Sequence, residues 1–219
     1  MMSQAMTPRI SILGDSISTF EGYTPHVGVF YTRNYISYSG FSTAEETWWM
    51  QVISQLGGKL LANNSFQGTY LSYGGLYPAV LSGRIRSLGT DDAEPDLILI
   101  YTGLNDVANN IPLADFKRDC LELLTKTKNF HPQSEIWYGT LCEGQAPSIG
   151  RPYFIEPEQL KNREDYNDVI RDCVSQTGCH LADLSAQGVT YATMDGVHPN
   201  KEGMTTFANA WVKNLQKAQ

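Results

Sequence analysis

Three residues with hydroxyl, imidazole and carboxylate side chains have the types and spacing needed for acyl transfer. Ser16 follows Gly14 and Asp15 at the end of a short apolar run, which predicts a serine at the end of a strand. Asp195 stands three residues before His198, near the C-terminus. A serine hydroxyl needs a base that removes its proton as it attacks a carbonyl, and an imidazole oriented by a carboxylate is such a base. We therefore interpret Ser16 as a nucleophile, His198 as its base and Asp195 as the orienting carboxylate.

Attack on a carbonyl places negative charge on its oxygen, so hydrogen-bond donors must already face that atom. The sequence offers three candidate donors: the N–H of Ser16, the N–H of Gly68 and the side-chain amide of Asn105. Gly68 and Asn105 each follow an apolar run, which predicts that they also lie beyond the carboxyl ends of strands. Open α/β sheets bind their ligands at that edge. We therefore expect the three donors to form an oxyanion hole beside the nucleophile.

Four residues match, in the same order, the residues after which one hydrolase family is named: Ser16, Gly68, Asn105 and His198. The chain thus resembles the SGNH hydrolases, also called the GDSL esterase/lipase family, over nearly its whole length. The residue after the serine is Ile17 where the motif has leucine, and two further glycines, Gly74 and Gly75, follow the matched glycine. The resemblance implies a serine esterase that forms an acyl-enzyme, with the donors above as its oxyanion hole.

Apolar patterning places these residues in a layered α/β fold. Apolar runs predict five strands, over residues 9–13, 59–62, 97–102, 136–141 and 179–184. Helical spacing predicts helices over residues 42–56, 77–88, 112–130, 158–176 and 202–216. Strands that alternate with helices predict a three-layer α/β/α sandwich with a parallel sheet and right-handed crossovers. The family resemblance further implies a five-stranded sheet in the flavodoxin-like order 2-1-3-4-5.

Length and composition limit the class of protein. The 219 residues, of which 42% are hydrophobic, can bury one core, so we expect a single domain over residues 1–219. A net charge of -7 argues against nucleic-acid partners and anionic membrane surfaces. No apolar run approaches the ~20 residues that a membrane helix needs, and no signal peptide precedes the first strand. We expect a cytoplasmic protein, or a secreted one whose leader was removed. The oligomeric state is left open.

The cysteines are spread without metal-ligand spacing, at positions Cys120, Cys142, Cys173 and Cys179. We expect thiols that are buried or partly buried, and neither a metal nor a cofactor. Cys173 and Cys179 have a spacing that allows a bridge across the end of a helix in an oxidising compartment. The sequence leaves that bridge open.

Two long loops are predicted beside the candidate site. The first, residues 19–46, is rich in aromatic side chains: Phe20, Tyr23, Phe30, Tyr31, Tyr35, Tyr38 and Phe41. It either covers an edge of the sheet or forms a pocket wall that stacks on sugar or acyl groups, and both roles are compatible. The second, residues 142–157, contains three prolines and is another candidate wall. Trp48 and Trp49 are interpreted as core residues.

The remaining acidic and imidazole side chains near the motifs have structural interpretations. Asp15 and Asp106 are expected to accept hydrogen bonds within the loops that carry the serine and the asparagine. His26, His131 and His180 are expected to be surface residues or buried histidines with hydrogen-bond partners.

Four functions are compatible with these residues. The leading hypothesis is an esterase that removes short acyl groups, acetyl first, from a carbohydrate or similar polar alcohol, because aromatic loops and an acidic surface fit an uncharged sugar ester. Lipolytic or thioester hydrolysis would use the same residues. Glycoside hydrolysis by Asp15 or Asp106 with Asp195 would leave the serine and histidine unused. A binding protein could retain the fold without the reaction.

Overall fold

The computed structural model describes residues 7–25, 28–32, 39–147 and 151–217. Five of its strands are β1 Arg9–Gly14, β2 Lys59–Ser65, β3 Leu97–Tyr101, β4 Glu135–Gly139 and β6 His180–Ala182. They form one parallel sheet in the order β2-β1-β3-β4-β6. Two shorter strands, β5 Glu143–Gly144 and β7 Thr190–Tyr191, pair with each other outside this sheet. The expected flavodoxin-like order is confirmed, with β6 as the fifth strand of the sheet.

Six α-helices of the described residues cover the sheet: α1 Trp48–Gln55, α2 Ser82–Arg86, α3 Leu104–Ala108, α4 Leu113–Phe130, α5 Arg163–Thr177 and α6 Lys201–Lys217. Helix α1 packs against α6, and α4 packs against α5 and α2. This is the three-layer α/β/α arrangement predicted from the alternation of strands and helices. Within the described ranges, no helix has both the length and the apolar character needed to cross a membrane.

The centre of the sheet is excluded from solvent. Every residue of β3 is buried, as expected for a parallel strand that is covered on both faces. On one of those faces, Trp48 of α1 stacks on Trp211 of α6 with ring centroids 5.3 Å apart. Trp48 and Trp49 are fully buried, so their interpretation as core residues is confirmed.

The predicted helix over residues 77–88 is wrong for its first half. Only Ser82–Arg86 is helical, because the chain before it is held by tertiary contacts. Tyr77 has a positive φ of 43°, and Pro78 follows it. The N–H of Ala79 then bonds to the carbonyl of Tyr70, a hydrogen bond across the loop rather than along a helix. The apolar spacing of residues 77–88 therefore reflects burial, and only the turn Ser82–Arg86 of this segment is helical.

The predicted helix over residues 42–56 is divided in two. A 3₁₀ turn, Ala44–Glu46, comes first and is capped by a capping box of Thr43 and Glu46. The Thr47 hydroxyl then accepts the N–H of Met50 at 3.4 Å and caps α1. The capping box therefore starts a separate turn, and α1 begins after one intervening residue, Thr47.

The aromatic loop is a cover over the sheet edge in its described parts. Four of its side chains are buried there: Phe20, Phe30, Tyr31 and Phe41. Tyr23 is 41% exposed. Tyr35, Tyr38 and His26 lie outside the described residues.

The cysteine side chains are free thiols. Cys120, Cys142 and Cys173 are buried and Cys179 is partly exposed. The bridge between Cys173 and Cys179 that the sequence left open is not formed in this structure.

Candidate active site

Close packing around Gly14, at the end of β1, fixes the turn that carries Ser16. A Cβ added to Gly14 would lie 2.6 Å from the hydroxyl oxygen of Ser18, so only glycine fits there without a shift. The Asp15 carboxylate accepts the N–H of Ile17 at 3.0 Å and starts a single 3₁₀ turn over residues 16–18. After this turn the chain is extended again at Thr19. Ser16 itself is 5% exposed at the carboxyl end of β1.

The imidazole of His198 lies between the two other predicted residues. Its Nε2 is 2.9 Å from the hydroxyl oxygen of Ser16, and its Nδ1 is 2.7 Å from Oδ2 of Asp195. Both distances are within hydrogen-bonding range. The fold therefore brings residues 182 positions apart into one hydrogen-bonded chain of hydroxyl, imidazole and carboxylate.

The loop that bears the acid and the imidazole is held by its own hydrogen bonds. The second carboxylate oxygen of Asp195 accepts the N–H groups of Val197 and His198, at 3.1 and 2.8 Å. The N–H of Gly196 bonds to the hydroxyl of Thr193 at 2.8 Å. Burial raises the pKa of Asp195, but its hydrogen bonds and the charge of His198 outweigh this and hold the pKa below its usual value. The carboxylate is therefore ionised at neutral pH.

Two aromatic rings enclose the imidazole of His198. The ring of Phe30 stacks on it with centroids 3.6 Å apart and an interplanar angle of 11°. Phe154, from the second predicted loop, meets it edge-on at 4.8 Å and is 55% exposed. The N–H of Phe154 also bonds to the carbonyl of Asp195 at 2.8 Å. Both predicted loops thus reach the site, one as a buried cover and one as an exposed wall.

Two of the candidate oxyanion donors, those of Gly68 and Asn105, lie next to Thr69. Gly68 has a φ of +72°, and no atom lies within 4 Å of where its Cβ would be. The side-chain amide of Asn105 donates one hydrogen to the carbonyl of Thr69 at 2.8 Å, which leaves its second hydrogen available. Within the described part of the chain, the N–H groups of Ser16 and Gly68 are used in no hydrogen bond. Gly75, by contrast, packs against the ring of Tyr70.

The two other acidic residues of the motifs support loops. Asp106 accepts the N–H groups of Leu71 and Ser72, at 2.7 and 3.0 Å, and so ties α3 to the loop that follows Gly68. Burial raises the pKa of Asp106 to about 6 and that of Asp15 to about 7. Both side chains are at most 1% exposed. Asp15 thus accepts a hydrogen bond within the serine turn, as expected. Asp106 instead lies in α3, and its hydrogen bonds support the loop after Gly68 and not the segment that carries the asparagine.

No motif in the sequence indicates Arg84 as a site residue. This residue is 1% exposed and hydrogen-bonds to the carbonyl of Gly14 and to the hydroxyl of Thr69, one on each side of the candidate oxyanion hole. The only signal in the sequence is a cation within the apolar pattern of residues 77–88.

His131, also buried, has partners on both ring nitrogens, Glu94 at 2.6 Å and the carbonyl of Ile85 at 2.8 Å.

A cavity of about 450 Å³ borders the loop of Asp195 at Gly196. Tyr153, Arg163 and Gly196 are among its lining residues, whereas Ser16 and His198 are not. The candidate chemistry is therefore separate from this cavity. In the described ranges, no three His, Cys, Asp or Glu side chains are grouped as they would be around a metal ion.

Several solved structures share this fold. A protein described as a GDSL-like lipase from Bacteroides ovatus is 22% identical, with a TM-score of 0.73 over 98% of this chain and 100% of that one. A second, from Bacteroides uniformis, is 24% identical, with a TM-score of 0.73 over 96% of each chain. A carbohydrate esterase family 2 enzyme of Corynascus thermopiles is 18% identical, with a TM-score of 0.61 over 99% of this chain and 67% of that one.

Sequence comparison gives the family as well as the fold. A search of curated proteins found no match. The family described as GDSL-like Lipase/Acylhydrolase, however, matches residues 8–215. This range includes strands β1 to β7 and the candidate residues from Ser16 to His198. The match confirms the resemblance drawn from the four motif residues, and this chain belongs to the GDSL-like lipase/acylhydrolase family.

Proposed function

We propose that this chain is a serine esterase that cleaves short-chain acyl esters through an acyl-enzyme. One observation supports this most strongly: the imidazole of His198 is within hydrogen-bonding distance of Ser16 on one side and Asp195 on the other. A general base in contact with a nucleophile and oriented by a third group is the arrangement that activates a serine. Membership of a hydrolase family agrees with it.

The proposed reaction starts with proton transfer from the hydroxyl of Ser16 to Nε2 of His198 as the oxygen attacks the ester carbonyl. Nδ1–H of the histidine donates to Asp195 throughout, so the ionised carboxylate stabilises the imidazolium that forms. The imidazolium then protonates the departing alcohol. A water molecule, deprotonated by the same histidine, then attacks the acyl group on Ser16. The imidazolium returns the proton to the serine oxygen as the bond to the acyl group breaks and the acid is released.

The developing negative charge would be met by the N–H of Ser16, the N–H of Gly68 and the free hydrogen of the Asn105 amide. The first two have no hydrogen-bond partner among the described residues, and the third is aimed by its bond to the carbonyl of Thr69. Donors held in place before the reaction need no reorganisation when the charge forms. Each such donor contributes on the order of 10²- to 10³-fold to turnover.

The proposed substrate is an acetyl or similar short acyl ester of a carbohydrate or another polar alcohol. Phe154 supports this, because an exposed ring beside the base offers an apolar face on which a sugar ring can stack. A carbohydrate esterase shares the fold, which makes this substrate class a reasonable first choice. Lipolytic or thioester hydrolysis at the same residues is the alternative.

Two other functions are less well supported. Hydrolysis of a glycoside by two carboxylates needs both acids to face the substrate. Asp15 and Asp106 are buried and accept backbone N–H groups instead. A protein that only binds its ligand would have no use for a serine in contact with an oriented imidazole.

Replacement of the nucleophile tests the proposal. We expect Ser16→Ala to lower turnover of p-nitrophenyl acetate by ~10⁴-fold or more, because Ser16 is the one hydroxyl among the described residues that hydrogen-bonds to the base. Ser18→Ala is the matched control: it lies on the same 3₁₀ turn, and its side chain accepts a hydrogen bond from Trp48 rather than from the histidine. It should retain most of the activity. Equal turnover in Ser16→Ala and the wild type would exclude the mechanism.

A series of p-nitrophenyl esters tests the substrate class. For a deacetylase, kcat/KM should fall steeply once the acyl chain exceeds four carbons. Turnover that is maintained at eight carbons or more would favour the lipolytic alternative. No turnover of any ester by the wild type would favour a binding protein.

A further inference from the structure

Arg84 is a fully buried cation in which every donor is used. Its Nε donates to the side-chain oxygen of Asn64 at 2.9 Å, and its Nη2 donates to the carbonyls of Asn64 and Gly14 at 2.6 and 3.1 Å. Its Nη1 donates to the hydroxyl of Thr69 at 2.5 Å and to the carbonyl of Tyr77 at 2.8 Å. A guanidinium has five N–H groups, so its capacity is filled by these five acceptors.

The acceptors of Arg84 adjoin the candidate oxyanion hole on each side. Gly14 is two residues before Ser16, whose N–H is one donor. Thr69 follows Gly68, whose N–H is the second donor, and its carbonyl holds the amide of Asn105, which is the third. One side chain thus connects the supports of all three donors.

Arginine is the side chain that suits this position. Its planar fork presents five donors in fixed directions, whereas the ammonium of lysine has three donors and no fixed plane. The five acceptors are carbonyl, amide and hydroxyl oxygens, so this position favours arginine for the fixed directions of its N–H donors. The ring of Tyr77 lies 5.1 Å from the guanidinium carbon and adds a cation–π contact. Burial lowers the pKa of Arg84 to about 10, so the group remains charged at neutral pH.

We propose that Arg84 is a positioning residue that sets the spacing of the three oxyanion donors by holding the ends of β1 and β2 and the Gly68 loop in one hydrogen-bonded unit. The inference rests on the proposed function, because only an oxyanion hole requires these donors to converge. Arg84 does not contact the substrate. Its effect is transmitted through Gly14 and Thr69.

The first test replaces the fork and keeps the charge. Arg84→Lys should lower kcat by ~10²-fold while KM stays within ~3-fold of the wild type, because misaligned donors weaken binding of the transition state and not of the ester. Arg86→Lys is the matched control, since this residue lies on the same helix with its side chain exposed over the ring of Phe130. Near-UV circular dichroism should be unchanged in both variants. A folded Arg84→Lys with wild-type kcat would overturn the inference.

The second test restores the missing group. In Arg84→Gly, guanidinium chloride added well below its unfolding concentration should raise kcat several-fold, whereas sodium chloride at the same ionic strength should not. The same addition should leave wild type and Arg86→Lys unaffected. A general stabilising effect would act on all three, and that result would count against the inference.

The third test applies if the Arg84 variants do not fold. Thr69→Val removes one acceptor and leaves the arginine, so kcat should fall by ~10-fold with little change in KM, and Thr69→Ser should retain kcat. Equal kcat in the two Thr69 variants would overturn the inference. The proposed function fails separately, if Ser16→Ala retains turnover or if the wild type hydrolyses no ester.

Discussion

The imidazole of His198 is stabilised in both of the states that the proposed reaction needs. As a neutral base it is held by Asp195 at 2.7 Å and faces Ser16 at 2.9 Å. As an imidazolium it gains from the carboxylate and from the face of Phe30, stacked 3.6 Å away. The stacked ring also excludes water from one side of the imidazole, which strengthens the electrostatic interaction with the carboxylate. One side chain can therefore accept a proton and donate it without leaving its position.

We expect Asp195→Asn to lower kcat by ~10³- to 10⁴-fold, because an amide NH₂ facing Nδ1 favours the tautomer that protonates Nε2 and blocks proton transfer from the serine. Stopped-flow and steady-state hydrolysis of p-nitrophenyl acetate measure this. Asp96→Asn is the control, since that carboxylate pairs with Arg9 at the surface. A kcat for Asp195→Asn within ~10-fold of the wild type would argue that the carboxylate is not part of the mechanism.

The loop between β7 and α6 is the element on which the site depends. Within it, the N–H of Met194 bonds to the carbonyl of His198 at 2.9 Å, and Thr193 pairs with Pro199. Outside it, β5 packs so closely that a Cβ on Gly144 would lie 2.3 Å from the carbonyl oxygen of Gly196. Backbone contacts therefore position the loop. Backbone atoms cannot move aside as easily as the end of a flexible side chain can.

Gly144→Ala should lower kcat by ~10-fold or more and also lower the melting temperature, because the added methyl group must displace the backbone of Gly196 and with it the adjacent acid. Gly83→Ala is the matched control: it lies in α2, and no atom is within 4 Å of the added methyl. That variant should be neutral or slightly stabilising. Wild-type kcat in Gly144→Ala would show that the loop tolerates a shift.

At the scale of the whole molecule, the two buried acids of the site lower the free energy of unfolding once they ionise. Asp15 is fully buried beside the nucleophile, and no group of the described residues hydrogen-bonds to its Oδ2. Burial raises its pKa to about 7, and burial also raises that of Asp106 to about 6. Both acids bind protons more tightly in the folded state than in the unfolded state. The stability that they contribute is therefore complete below pH ~4 and is lost as the pH rises through their folded-state pKa values.

Urea unfolding should accordingly show a free energy of unfolding that falls between pH 5 and pH 8. Asp15→Asn should remove much of that fall and be the more stable protein at pH 8, by up to about 4 kcal/mol, since each pKa unit corresponds to ~1.4 kcal/mol. Asn can still accept the N–H of Ile17. Asp91→Asn, at an exposed position, should follow the wild type at both pH values. An identical fall in Asp15→Asn would mean that Asp15 is ionised in the folded protein without cost.

Sequence alone determined the class of fold and the residues of the candidate site. Apolar runs that end in Gly-Asp-Ser, in glycine and in Gly-Leu-Asn are local signals, and parallel strands necessarily bring their carboxyl ends to one edge. The strand order followed from the family resemblance. The motifs also indicated Ser16, Asp195 and His198 as candidates, and in the structure the imidazole of His198 lies within 3 Å of both other side chains.

Tertiary structure alone decided how those residues are held. The short α2, the pairing of β5 with β7, the stack of Phe30 on His198 and the five acceptors of Arg84 all join segments that are distant in the chain. A buried arginine or a stacked ring leaves no periodicity in the sequence. Its partners are selected by packing, which depends on where every other element lies.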